Sequence, residues 1–178
     1  FGIIAAGKHP QVDYSKVNYS KESYTAAPGN VINYAECHDN NTLWDKLTLS
    51  CPGATETDRK KMQQLALTIV LTSQGIPFLH ARTEFLRSKK GIENSYNSSD
   101  SINAIDWDLK KENLAFTKYV EALIKIRRAH PAFRMETAEQ VKQNIHFDDH
   151  SPAGTSVYLI DGPKDKENGT QIGNAFNG

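Results

Sequence analysis

The chain has 178 residues, 38% of them apolar, and its 21 basic and 21 acidic side chains cancel. That length suits one ordinary domain or parts of two, with a core. A zero balance without a block of like charges argues against nucleic-acid and anionic-membrane partners, which need a clustered positive field, and no apolar run approaches the ~20 residues of a membrane helix.

Two cysteines, Cys37 and Cys51, are too few for a disulfide framework or a four-ligand zinc site and read as free thiols. The sequence opens on Phe1 and shows no signal peptide, so it reads as cut from something longer, and cytoplasmic or exported location is not encoded in it. Residues 1–29 are weakly patterned, with Pro28-Gly29 as a turn signal. A loop that long inside a compact domain is expected to be functional or packed on a neighbour. Residues 31–37 read as a buried strand that delivers polar groups at its C-terminal end.

Residues 40–52 read as a loop or short helix. Residues 57–73 form a strong helix pattern, with Met62, Leu65, Ala66, Ile69 and Val70 on one apolar face. Thr55 and Asp58 fit a capping box, and Gly75 suits the C-terminal end. A short strand over 76–80 follows, with Pro77 near its start. Strand, helix and strand make one βαβ unit of a parallel sheet. The loop over 82–107 is rich in Asn and Ser. A second helix over 113–130 buries Phe116, Tyr119, Val120, Leu123 and Ile124 and ends at His130-Pro131. Beyond Phe133 the texture predicts strands over 141–149 and 155–160, then a turn-rich tail over 161–178. These β residues are too few for a stable domain by themselves.

Five stretches in fixed order carry a resemblance: His9-Pro-Gln-Val-Asp-Tyr to Lys21; Asn33-Tyr-Ala-Glu-Cys-His-Asp-Asn40 with Thr42 to Lys46; Ser73-Gln-Gly-Ile-Pro-Phe-Leu-His-Ala81 with Glu84-Phe85; Glu93 to Asn103 with Asp106-Trp107; and Arg127 to Phe133. Together they resemble type I pullulanases of the α-amylase superfamily (glycoside hydrolase family 13), which cut α-1,6 branches. The resemblance implies an α/β fold: the last two βα units of a (β/α)8 TIM barrel over 1–133, then an incomplete C-terminal β-sandwich domain over 134–178. The family usually has Gly-Gln where this chain has Arg82-Thr83. Gly accepts backbone angles that Arg resists, so the loop there is expected to differ. The tail after about residue 148 matches the family poorly.

Retaining glycosidases need a carboxylate nucleophile and a carboxylic acid about 5 Å apart. The resemblance implies that both lie outside this chain. It implies that Asp39 is the third carboxylate, stabilising charge at the sugar ring, with His38 binding sugar hydroxyls beside it. Asn40, Trp44, Asp45, Asn94, Tyr96 and Asn97 are the further candidate substrate-binding residues, because amides and aromatics match hydroxyl pairs and ring faces. Trp44 either stacks on sugar or packs under its loop. Glu84 either anchors its loop or touches sugar, and His80 reads as structural. The six histidines show no metal-ligand spacing, and no nucleotide loop or nucleophile elbow occurs. No metal site and no cofactor are expected in the chain, with calcium left open for a longer parent.

The implied function is a fragment of a debranching hydrolase acting on pullulan, starch or glycogen. The parent is an enzyme, and the isolated chain is inactive. The alternatives are a non-catalytic α-glucan-binding or interaction fragment, or another superfamily specificity such as isoamylase or α-1,4 hydrolysis. The expected partner is an α-glucan, with no nucleic acid and no membrane. Open barrel edges invite self-association.

Overall fold

The computed structural model describes residues 1–162 and 171–177. Its elements are β1 (Ile32–Asn33), α1 (Leu43–Ser50), α2 (Glu56–Thr72), β2 (Ile76–Pro77), α3 (Asp100–Asn103), α4 (Asp108–Glu112), α5 (Leu114–Ala129), α6 (Ala138–Asn144), β3 (Ile145–Phe147), β4 (Thr155–Asp161) and β5 (Gln171–Asn177). The fold is mixed α/β. It divides into two compact units, Phe1–Asn33 with Ile69–Pro77 and Ile124–Gly178, and Tyr34–Thr68 with Phe78–Leu123. No helix among the described residues is long and apolar enough to cross a membrane.

In the first unit β1 and β2 pair in parallel, Ile32 opposite Ile76 and Asn33 opposite Pro77. The expected strands over 31–37 and 76–80 shrink to this two-residue ladder. Pro77 has no N–H with which to extend it. Gly75 precedes β2 at φ +96°, and a Cβ there would meet Val31 O and the Asn33 amide at 3.0 Å. Only glycine fits both the angle and the approach. The fully buried Gln74 donates to Ala132 O at 2.7 Å and accepts from Met135 N–H at 2.9 Å.

An antiparallel meander β3-β4-β5 completes this unit. Its inner face buries Ile145, Tyr158, Ile160 and Phe176, and the Tyr158 ring meets Phe147 and Phe176 at centroid distances of 5.7 and 5.8 Å. Burial pushes the Tyr158 phenol up to about 12. Two expectations are corrected here. The strand foreseen over 141–149 opens instead as α6, because Thr137 and Gln140 form a full capping box ahead of it. The tail contributes β5, whose Gly173 and Asn174 hide the strand pattern. Residues 163–170 and 178 of that tail lie outside the described residues.

The N-terminal stretch is packed on this sheet. His9 is buried, and its Nε2–H donates to Ile145 O at 3.0 Å. The Gln11 amide both donates to and accepts from the Phe147 backbone, at 2.9 Å each. One side chain thus pairs the free edge of β3 as a neighbouring strand would.

The second unit buries Leu67, Phe85, Leu86, Phe116, Val120 and Leu123. Thr55 caps α2 through the Asp58 N–H at 3.1 Å, as expected. The buried face of α2 is rotated from the expected one. Gln63, Leu67, Val70 and Leu71 are buried, whereas Met62 and Ile69 are exposed. Gln63 is drawn inward because its amide donates to Thr83 O at 2.9 Å. On α5 the expected Phe116, Val120 and Leu123 are buried and Ile124 is exposed.

Candidate functional site

The candidate site lies within the second unit and begins where the chain bends after β1. Glu36 is buried and accepts the Leu43 N–H at the start of α1. Burial pushes its carboxyl above the usual range, against the opposing pull of the hydrogen bonds it receives. Thr42 caps α1 by accepting the Asp45 N–H at 3.1 Å. Between these anchors the bend presents His38 and Asp39 to solvent, with His38 Nε2 3.6 Å from Asp39 Oδ1. Asn40 turns the chain in the left-handed region, at φ +61°.

A second segment, after β2, closes against this bend. Asp45 is buried and uses both carboxylate oxygens there. Ser88 Oγ donates to Oδ1 at 2.6 Å, and the Lys89 N–H donates to Oδ2 at 2.7 Å. The Asn41 amide reaches Gly91 O at 3.1 Å. Asn103 holds the loop beyond, donating to Ser95 O at 2.6 Å and Ser98 O at 3.0 Å. The two segments enclose a cleft of about 310 Å³ lined by His38, Asp39, His80, Arg87, Lys89, Glu93, Asn94, Ser95, Tyr96 and Asn103.

Four of the eight candidate residues therefore share one cleft: His38, Asp39, Asn94 and Tyr96. The other four do not line it. Asn40 and Asn97 are exposed beside their turns. Asp45 anchors the opposing loop. Trp44 lines a separate depression with Glu56, Lys60 and Leu86, and the Arg59 guanidinium lies 5.6 Å from its ring. Glu84 offers its backbone carbonyl to Thr117 Oγ1 at 3.1 Å. His80 lines the cleft, with the Arg87 guanidinium 3.4 Å from its Nε2. Since guanidinium only donates, His80 accepts at Nε2 and carries its proton at Nδ1. Burial, and then the charges of Arg87 and Lys89, lower its pKa.

Sequence reasoning missed Arg87, Lys89 and Asn103. The first two sit in an Arg-Ser-Lys-Lys run that reads as a solvated basic face. Asn103 was one amide among several in its loop.

The cleft offers imidazole, carboxylate, primary amides and a phenol, and Tyr96 is 84% exposed. With the Arg87 guanidinium and the Glu93 side chain on the same lining, the cleft offers both donors and acceptors to a hydroxyl-rich ligand, and an aromatic face to stack on it. Among the described residues, Cys37, His38 and Asp39 form a group whose ligating atoms lie within 4.8 Å of one another. Lys89 Nζ, donating to His38 O at 3.3 Å, sets a positive charge beside this group. Cys37 and Cys51 are both free thiols.

No protein-family model matches the chain. It is 44% identical over 118 residues to the pullulanase of Bacillus subtilis strain 168, covering 66% of this chain and 16% of that protein. It is 29% identical over 173 residues to the chloroplastic pullulanase 1 of Arabidopsis thaliana, covering 78% of this chain and 18% of that one. The chain thus spans less than a fifth of these curated relatives. Among solved structures, it superposes on the Paenibacillus barengoltzii pullulanase complexed with maltohexaose and α-cyclodextrin. The TM-score is 0.85 at 38% identity, covering 98% of this chain and 26% of that one. The type I pullulanase of Bacillus subtilis complexed with maltose superposes with a TM-score of 0.83 at 28% identity, covering 99% of this chain and 29% of that one.

Proposed function

The chain is a pullulanase segment, and from that premise we propose that it supplies one wall of the active site of a retaining hydrolase that cleaves α-1,6 branches in pullulan- or starch-type glucans. The observation that carries this reading is the His38-Asp39 pair exposed in a cleft shared with Asn94 and Tyr96. Asp39 is the carboxylate that stabilises positive charge building at the sugar ring. His38 orients hydroxyls beside it, and the amide of Asn94 and the ring of Tyr96 hold the adjoining glucose units. Such stabilisation works because the groups are held in place before charge develops. The nucleophile and general acid belong to the rest of the longer protein.

In this reading the β1-α1-α2-β2 crossover is one βα repeat of a (β/α)8 barrel and α5 is the helix of the next. Residues 1–133 then belong to the catalytic barrel and residues 134–178 to a following β domain. The cross-strand neighbours Ile32 and Ile76 are 59% and 49% exposed, which supports self-association of the isolated chain at this short sheet.

The test is hydrolysis of pullulan by the 178-residue chain beside the full-length protein. The chain alone releases no reducing ends and the full-length protein does. Robust turnover by the chain alone overturns the proposal, because a complete acid-nucleophile pair would then have to reside within it.

A further inference from the structure

Lysine is almost never fully buried unless its ammonium is paired. Lys89 is 2% exposed, while Lys90 beside it is exposed. The Lys89 Nζ donates to two backbone carbonyls, His38 O at 3.3 Å and Glu93 O at 3.1 Å. The first belongs to the bend that carries Asp39. The second opens the segment that carries Asn94 and Tyr96. One side chain therefore ties together the two walls of the cleft.

The backbone that carries Lys89 is itself pinned. Its N–H and the Ser88 hydroxyl occupy the two carboxylate oxygens of Asp45 in the first turn of α1. Ser88 Oγ also accepts the Lys90 N–H at 2.8 Å, and Ile92 N–H closes the turn on Lys89 O at 3.0 Å. Asp45, assigned to substrate from sequence, instead faces this turn.

We propose that Lys89, seated by Asp45, is a positioning residue that fixes the His38 backbone against the 93–96 wall and so sets the shape of the glucan cleft. The ligand named here rests on the function proposed above, whereas the bridge between the walls does not. A tetrahedral ammonium with three donors satisfies two converging carbonyls at once, and a hydrophobic replacement leaves both unpaired.

The experiment uses the 178-residue chain with labelled lysine ammonium and backbone amide groups, observed by NMR and titrated with maltotetraose. In the wild-type chain the Lys89 ammonium exchanges slowly with water and shows through-space contacts to the α-protons of His38 and Glu93. Lys89→Met shifts the amide signals of residues 38–39 and 94–96 and weakens maltotetraose binding about tenfold. Lys89→Arg regains part of that loss. In a His38→Ala background, Lys89→Met costs less than in the wild type, because part of its effect acts through the position of the His38 side chain.

A fast-exchanging Lys89 ammonium in the wild-type chain overturns the proposal, and that measurement needs no variant to fold. So does a Lys89→Met chain whose residue 38 and 94 signals stay in place, or an equal penalty in both backgrounds. A wild-type chain that binds no maltotetraose overturns the glucan reading alone. The positioning role then stands or falls on the ammonium signal and the amide shifts.

Discussion

The guanidinium of Arg127 and the backbone carbonyl of Ser73 meet at 2.7 Å, tying the last turn of α5 to the C-terminal end of α2. The same Nη1 donates to Leu71 O at 2.8 Å, and Nη2 donates to Gly75 O at 2.7 Å. Leu71 O is among the last carbonyls of α2, which lack intrahelical partners, while Ser73 O and Gly75 O belong to the turn into β2, and one buried fork satisfies all three. Burial lowers the Arg127 pKa to about 10, so it stays protonated at neutral pH. Lysine cannot span three carbonyls with one planar fork. Arg127→Lys is expected to cost about 2–3 kcal/mol of unfolding free energy, read from urea denaturation. A loss below about 0.5 kcal/mol would show that these carbonyls find other partners.

Arg82 occupies the left-handed region at φ +76°, where the resemblance leads one to expect glycine. Its guanidinium stands 4.4 Å from the Trp107 ring centroid. A stacked cation on tryptophan offsets part of the left-handed cost, each effect being about 1 kcal/mol. Arg82→Ala keeps the strain and loses the stacking. Arg82→Gly loses the stacking and removes the strain. The glycine variant is therefore expected to be about 1 kcal/mol more stable than the alanine variant, the reverse of their usual order. Equal thermal midpoints for the two would contradict this account of the loop.

His80 is held neutral by burial and by the Arg87 and Lys89 charges. Its pKa is lowered on folding, so the unfolded chain binds the proton more readily. Stability is then full above the ordinary histidine value of about 6.5 and falls as pH drops from there toward the folded value. His9 is shifted the same way, chiefly by burial, whereas the raised carboxyl of Glu36 acts with the opposite sign. His80→Gln should therefore flatten the loss of stability below pH ~6.5 without abolishing it. Denaturant midpoints measured across that window check this, and an unchanged slope in the variant would contradict it.

The two long helices, α2 and α5, were legible because their signals are local. The Thr55 cap, the apolar spacing on α5 and the stop at His130-Pro131 all act within a few residues. The position and parallel pairing of β1 and β2 were legible too, but their extent was not, because a strand exists only through its partner and Pro77 limits the ladder. As a candidate, the His38-Asp39 pair could be picked out from the order of motifs along the chain. The role of Asp45 could not, because it depends on a turn 43 residues away that brings Ser88 to its carboxylate. Lys89 was hidden for the same reason, since burial of a charged residue is a property of the fold.

The most direct measurement is turnover of pullulan by the full-length protein carrying Asp39→Asn, together with its affinity for maltotetraose. Asparagine keeps the shape and removes the carboxylate charge. Turnover is expected to fall about 10²-fold or more while glucan affinity changes little, because the group acts on charge that develops in the transition state. Near-full turnover in the Asp39→Asn protein would contradict it and remove Asp39 from the catalytic role.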